Sequence, residues 1–196
     1  NALAISGLLN TRVGGPSVKP YQPEGLWNEV SLNGNRRFTR DKGEKLYRKS
    51  MYTYWKRSAP HPGMLAFDAP TRETCTIQRQ NTNTPMQALV TLNDEQFVEA
   101  SRVFAEKILT NRDTFQDRLD FAFETATGKL ADTTRMQIFK NLYNYQKKIF
   151  DTEPQRATDL LSVGDYKSST LDKTEHATWT ILASTILNLD ETLNRE

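Results

Sequence analysis

The side chains best suited to bond-making chemistry are few in this sequence. Cys75 is the one thiol, and His61 and His176 are the two imidazoles. Covalent attachment of a c-type haem needs Cys-x-x-Cys-His. Cys75 is followed by Thr76, so no such haem is expected on this chain. His61 or His176 as axial ligand to a non-covalent haem is the alternative, and ordinary roles are favoured over it. These are a loop histidine stacked on an aromatic for His61, between Pro60 and Pro62, and a solvated residue in the first turns of a helix for His176. Transition metals usually need three or four His, Cys or carboxylate ligands, and the spacing here offers no such set. No metal is expected, although a hard-ion site of Asp and Glu stays open; nothing resembles an EF-hand loop. Arg72 and Arg79 flank Cys75 and could stabilise a thiolate. The favoured reading is a small, buried core cysteine.

Two segments carry denser chemistry. Asp68 to Gln87 gathers Asp68, Arg72, Glu73, Arg79, Asn81, Asn83 and Gln87 with little apolar content. Asp68, Arg72, Glu73, Arg79 and Asn83 form a candidate site for a sugar or an acidic ligand. The competing reading is that these groups tie down irregular backbone, whose N–H and C=O groups need partners. Arg36 to Arg57 carries nine basic residues, opposed only by Asp41 and Glu44, and interleaves them with Phe38, Tyr47, Tyr52, Tyr54 and Trp55. That is the composition of a polyanion surface, with Arg37, Arg40, Arg48, Lys49, Tyr52 and Trp55 as its candidate contacts. A solvated face with internally paired arginines is the plainer alternative, and it is favoured.

The elements that must position these residues differ on either side of residue 84. Residues 1–83 are punctuated by Gly and Pro, from Gly14-Gly15-Pro16 to Pro70, yet contain Tyr21, Trp27, Tyr47 and Trp55. So aromatic a segment is not a disordered tail. It reads as an ordered irregular arm wrapped over the helices, with a short helix over 23–30 and an ambiguous stretch over 45–57. Residues 84–196 read as a bundle of about five to six helices. Thr84-Pro85-Met86-Gln87 fits a capping box with Pro at the first helical position. Asn93 is the expected cap of the next helix, whose inner face includes Phe97, Phe104 and Ile108. Helices around Leu119–Ala126 and Met136–Ile149 follow, with Gly128 as a stop. A short helix from Pro154 ends at Gly164. The last helix, about 173–189, is apolar around most of its circumference and should be central. Mostly α is thus the expected class, with at most a minor β element near 45–55, and the two parts are expected to form one compact unit.

Several motifs occur together: Gly14-Gly15-Pro16-Ser17-Val18, Tyr47 to Arg57, Phe67-Asp68-Ala69-Pro70-Thr71-Arg72-Glu73-Thr74-Cys75, Thr82 to Leu89, Leu92-Asn93-Asp94 and Ile186 to Glu191. In these the chain resembles the planctomycete-specific domain of unknown function found C-terminal in large planctomycete-type cytochrome-c proteins. The resemblance covers essentially the whole chain. It implies an extracytoplasmic, periplasmic-type parent with a cytochrome-like region upstream, where any haem would lie. It also implies association with polysaccharide breakdown, without a settled activity.

Net charge is +2 and mean hydropathy is −0.67, so bulk charge does not mark a polyanion binder. No apolar run approaches the ~20 residues of a membrane helix. Asn1 to Leu9 reads as the back half of a helix, as expected of a piece of a longer protein. The expected function is a non-catalytic structural or interaction domain contacting upstream regions of its parent. Alternatives are a module that binds or acts on anionic polysaccharide and a redox surface for haem held upstream. No nucleic-acid motif is present.

Overall fold

The computed structural model describes residues 1–30, 37–78, 82–167 and 170–194. Among these the ordered elements are helical, and the only β pairing is two isolated parallel bridges, Asn10 with Arg48 and Val18 with Thr53. The chain divides into two compact units. One comprises Asn1–Leu8 with Thr91–Glu196, and the other is Leu9–Val90.

The first unit contains α1 (Ala2–Ser6), α5 (Glu95–Asn111), α6 (Phe115–Thr127), α7 (Thr133–Thr152), α8 (Pro154–Leu161), α9 (Lys173–Leu187) and α10 (Asp190–Leu193). Four of these helices begin on a side chain that accepts from an orphan N–H of the first turn. Asp94 accepts from Gln96, Thr114 from Asp117, Asp132 from Arg135 and Asp172 from Glu175. The α5 cap is therefore Asp94, one residue beyond the expected Asn93, which still belongs to the preceding helix. Gly128 ends α6 at φ 76°, a left-handed conformation that a residue with a Cβ resists.

Helix α9 is the centre of this unit, packed by α5, α7 and α8. Its Trp179, Leu182, Ala183 and Ile186 are fully buried with Phe104 and Ile108 of α5 and Leu119 and Phe123 of α6. A second cluster joins Phe150, Ala157, Leu161 and Ala177. The all-round apolar character of the last helix thus reflects its surroundings: every face has a neighbour.

The second unit contains α2 (Leu26–Glu29), α3 (Pro62–Ala66), most of α4 (Pro85–Asn93) and two 3-10 turns, Gly43–Tyr47 and Ser50–Tyr52. The ambiguous stretch over 45–57 resolves into these turns, linked by extended residues. Their backbone receives Asn10 N–H on Tyr47 O (2.9 Å) and Val18 N–H on Tyr52 O (2.8 Å). Val18, Tyr21, Trp27, Leu46, Tyr47 and Ala59 are buried here. Helix α4 opens on the expected reciprocal cap. Thr84 Oγ1 accepts from Gln87 N–H (3.4 Å), and Gln87 Oε1 accepts from Thr84 N–H (3.2 Å).

Candidate functional site

Both candidate segments lie in the 9–90 unit, and the structure brings parts of them together. Asp68 sits at φ 56° and turns its carboxylate onto the chain that leads into α4. Its Oδ2 accepts from Thr82 N–H (3.1 Å), Thr82 Oγ1 (2.6 Å) and Gln87 Nε2 (3.5 Å). This is a carboxylate closing a loop, with its acceptor capacity directed at backbone and cap. Arg72, at φ 64°, lays its guanidinium over the Trp55 ring, 4.8 Å from the centroid. Glu73 pairs with Arg57 at 3.4 Å, both well exposed. Arg72 and Glu73 therefore meet the basic segment at Trp55 and Arg57. Asn83 is exposed, and Arg79 and Asn81 lie outside the described residues.

In the basic segment, Arg48 is a fastener. Its Nη2 donates to Arg12 O (3.1 Å) and Gly14 O (2.6 Å), and its Nη1 donates to Pro16 O (3.1 Å). The same guanidinium covers the Tyr52 ring at 3.7 Å, and Gly14 N–H donates to the Tyr52 hydroxyl (2.8 Å). A guanidinium presents a planar fork of donors, which suits it to collecting the carbonyls of a glycine turn. Arg40 stacks on the buried Tyr21 ring at 4.6 Å. One face each of Tyr52 and Trp55 is thus occupied by an arginine of the same unit. Arg37 and Lys49 are exposed, and Arg36 lies outside the described residues.

Two expectations are corrected. Cys75 is exposed, because the 71–78 stretch lies at the surface and offers no core to enter. His176 is buried rather than solvated, and its Nε2–H donates to Arg102 O at 2.9 Å. Burial pushes its pKa below the usual imidazole value, against the opposing pull of that hydrogen bond. His61 stands at the N-terminus of α3, and its Nε2–H donates to Tyr21 O at 2.7 Å.

The first unit holds two polar clusters that were not anticipated. Glu175 of α9 accepts on Oε1 from Arg118 Nη1 and Trp179 Nε1, both at 3.0 Å, and on Oε2 from Tyr143 OH at 2.7 Å. Lys147 Nζ stands 3.6 Å from Oε2. Burial, then the Glu175 hydrogen bond, raises the Tyr143 pKa, so the phenol stays a donor and not a base. The cluster cross-links α6, α7 and α9. The Glu175/Trp179 spacing of four was its only local signal. In the second cluster, Glu99 and Arg102 of α5 are both almost fully buried. Glu99 Oε1 accepts from Tyr166 N–H (2.6 Å), and Arg102 Nη2 donates to Tyr166 O (2.8 Å). Together they clamp the backbone of Tyr166, in the α8–α9 loop, at its N–H and its C=O.

Among the described residues no group of three or more His, Cys, Asp or Glu side chains is placed to hold a metal ion. No described helix is long and apolar enough to cross a membrane. No curated protein and no solved structure matches the chain. One family model does, described as a protein of unknown function (DUF1553), over residues 1–143. That match takes in the whole 9–90 unit, with its Arg48 fastener and Asp68 loop, and extends into α7. The chain belongs to the DUF1553 family.

Proposed function

We propose that this chain is a non-catalytic structural and interaction domain of an exported, planctomycete-type cytochrome-associated protein, and that its partner is the upstream part of that protein. The observation that carries this reading is Arg48, whose donors collect the carbonyls of Arg12, Gly14 and Pro16. Asp68 supports it in the same way, by holding Thr82 and Gln87. The side chains best able to grip a ligand hold the chain's own loops. An extracytoplasmic location and a haem held elsewhere in the parent follow from the motif resemblance. Contact with another protein surface is supported by α4, where Met86, Leu89 and Leu92 are 57%, 56% and 45% exposed. Their spacing of three aligns them along one side of the helix, and such apolar stripes mark protein contacts. A photo-crosslinking residue at position 89 of the full-length protein should capture upstream segments. A folded protein that yields no such crosslink would overturn the reading.

A second reading is weak binding of anionic polysaccharide, favoured by the exposure of Arg37 and Lys49. Exposed charges are screened over ~8 Å at physiological ionic strength, so retention on heparin should fade as salt rises. Elution in the void at low salt would remove this reading.

A further inference from the structure

We propose that Lys19, Trp27 and Lys56 form a binding site for an oxyanion, either a carboxylate or a sulfate group. The proposal is independent of where the protein acts. Lys56 Nζ lies 4.2 Å from the Trp27 ring centroid, and Lys19 Nζ lies 5.5 Å from the same ring and 5.4 Å from that of Tyr54. Two ammonium groups therefore converge on one indole. The indole is fixed in place, with Phe38 edge-on at 5.3 Å and Tyr54 tilted at 5.9 Å. Trp27 itself is only 9% exposed.

The donors of this cluster are incomplete. Lys56 Nζ and Trp27 Nε1 are both shielded from water and have no hydrogen-bond partner. Buried donors are rarely left unmet in folded proteins. A ring face attracts the ammonium but accepts none of its three N–H groups in the ordinary sense. What is missing is an acceptor, and the two neighbouring positive charges select a negative one. The carboxylate nearest in the hydrogen-bond pattern does not supply it. Asp41 gives Oδ2 to the Lys19 backbone N–H (2.8 Å), and its Oδ1 faces Lys45 (3.9 Å). Among the described residues neither Lys19 nor Lys56 is in an ion pair. Lys19 and Lys56 are only partly buried as residues. An oxyanion bound here would take a Lys56 N–H with one oxygen and the indole N–H with another, and Lys19 would add positive charge near the same ring.

The test is a titration of the whole chain followed by amide and indole NMR, with sodium sulfate, sodium acetate and D-glucuronate as separate probes at constant ionic strength. The Trp27 indole N–H should move saturably with at least one probe. The Trp179 indole, already bonded to Glu175, should stay still. Response to sulfate alone assigns the tetrahedral anion; response to acetate and glucuronate assigns the carboxylate. Lys56→Met should weaken binding about tenfold or more, the loss of one charge-assisted hydrogen bond, while Lys56→Arg should retain it. Trp27→Phe keeps a ring and removes the donor, and it should weaken binding measured by calorimetry. No saturable shift with any probe would mean that water alone meets these donors, and the site would be rejected. A shift confined to Trp55, or affinity unchanged in folded Lys56→Met, would equally overturn it.

Discussion

Replacing Gly164 by Ala tests the buried clamp between α5 and the α8–α9 loop. Gly164 sits at φ +90°, and a Cβ built there would lie 2.6 Å from Glu99 Cγ and nearer still to its carboxylate. Two costs follow. The left-handed backbone disfavours an L side chain by about 1–2 kcal/mol. The new methyl must also displace the buried Glu99, whose Oε1 accepts from Tyr166 N–H at 2.6 Å. Losing a hydrogen bond to a charged group is worth about 1.5–3 kcal/mol, so the total is about 2.5–5 kcal/mol. Gly128 provides the control. It has a similar conformation, φ +76°, but nothing lies within 4 Å of its added Cβ. Gly128→Ala should therefore cost only the backbone part, about 1–2 kcal/mol. Denaturant unfolding, followed by helix circular dichroism, would give both values. A difference between the two variants below about 0.5 kcal/mol would refute the clamp, because that is within the scatter of ordinary surface changes.

Stability should also fall on acidification below the ordinary His176 pKa of 6.5. Below that value the unfolded chain binds a proton that the buried imidazole refuses, so the loss approaches about 1.4 kcal/mol per pH unit until the folded pKa is reached. His176→Gln should flatten that part of the stability–pH curve; an unchanged slope would exclude His176 as its source. Leu182→Ala, at a fully buried position in α9, should cost about 2–5 kcal/mol through lost burial and a cavity. A loss under about 1 kcal/mol would contradict the central place of this helix. Thr84→Ala should cost about 0.5–2 kcal/mol by removing the acceptor for Gln87 N–H, and amide exchange at Gln87 should quicken.

The helices were legible because their signals are local. Thr84-Pro85-Met86-Gln87 is its own cap, and Gly128 marks its own stop. Even the one-residue displacement of the α5 cap, from Asn93 to Asp94, came from two neighbouring residues that both cap well. The site chemistry was less legible because it is assembled across chain reversals. Lys19, Trp27 and the Tyr54–Lys56 stretch converge from three separate parts of the chain. Likewise Arg48 reads in sequence as one more cation in a basic run, and only the glycine turn 34 residues earlier, seen in space, gives it a task. Cys75 and His176 went the other way. Average habits of their residue types suggested a core thiol and a wet imidazole. Position reversed both, since the surface loop excludes Cys75 from a core and α5 covers His176.

The pairing of α5 with α9 also sets a delay during synthesis. His176 meets the carbonyl of Arg102 across 74 residues, and Trp179 and Leu182 complete the surroundings of Phe104 and Ile108 from a comparable distance. Translation proceeds at about 5–20 residues per second, so α5 waits roughly 4–15 s for its principal partner. During that interval the side of α5 that α9 later covers is open to the intervening helices or to a chaperone. The first unit should therefore close late, when α9 clears the ribosome. A chain ending at residue 143, where the family match stops, would leave that face of α5 exposed permanently and should aggregate.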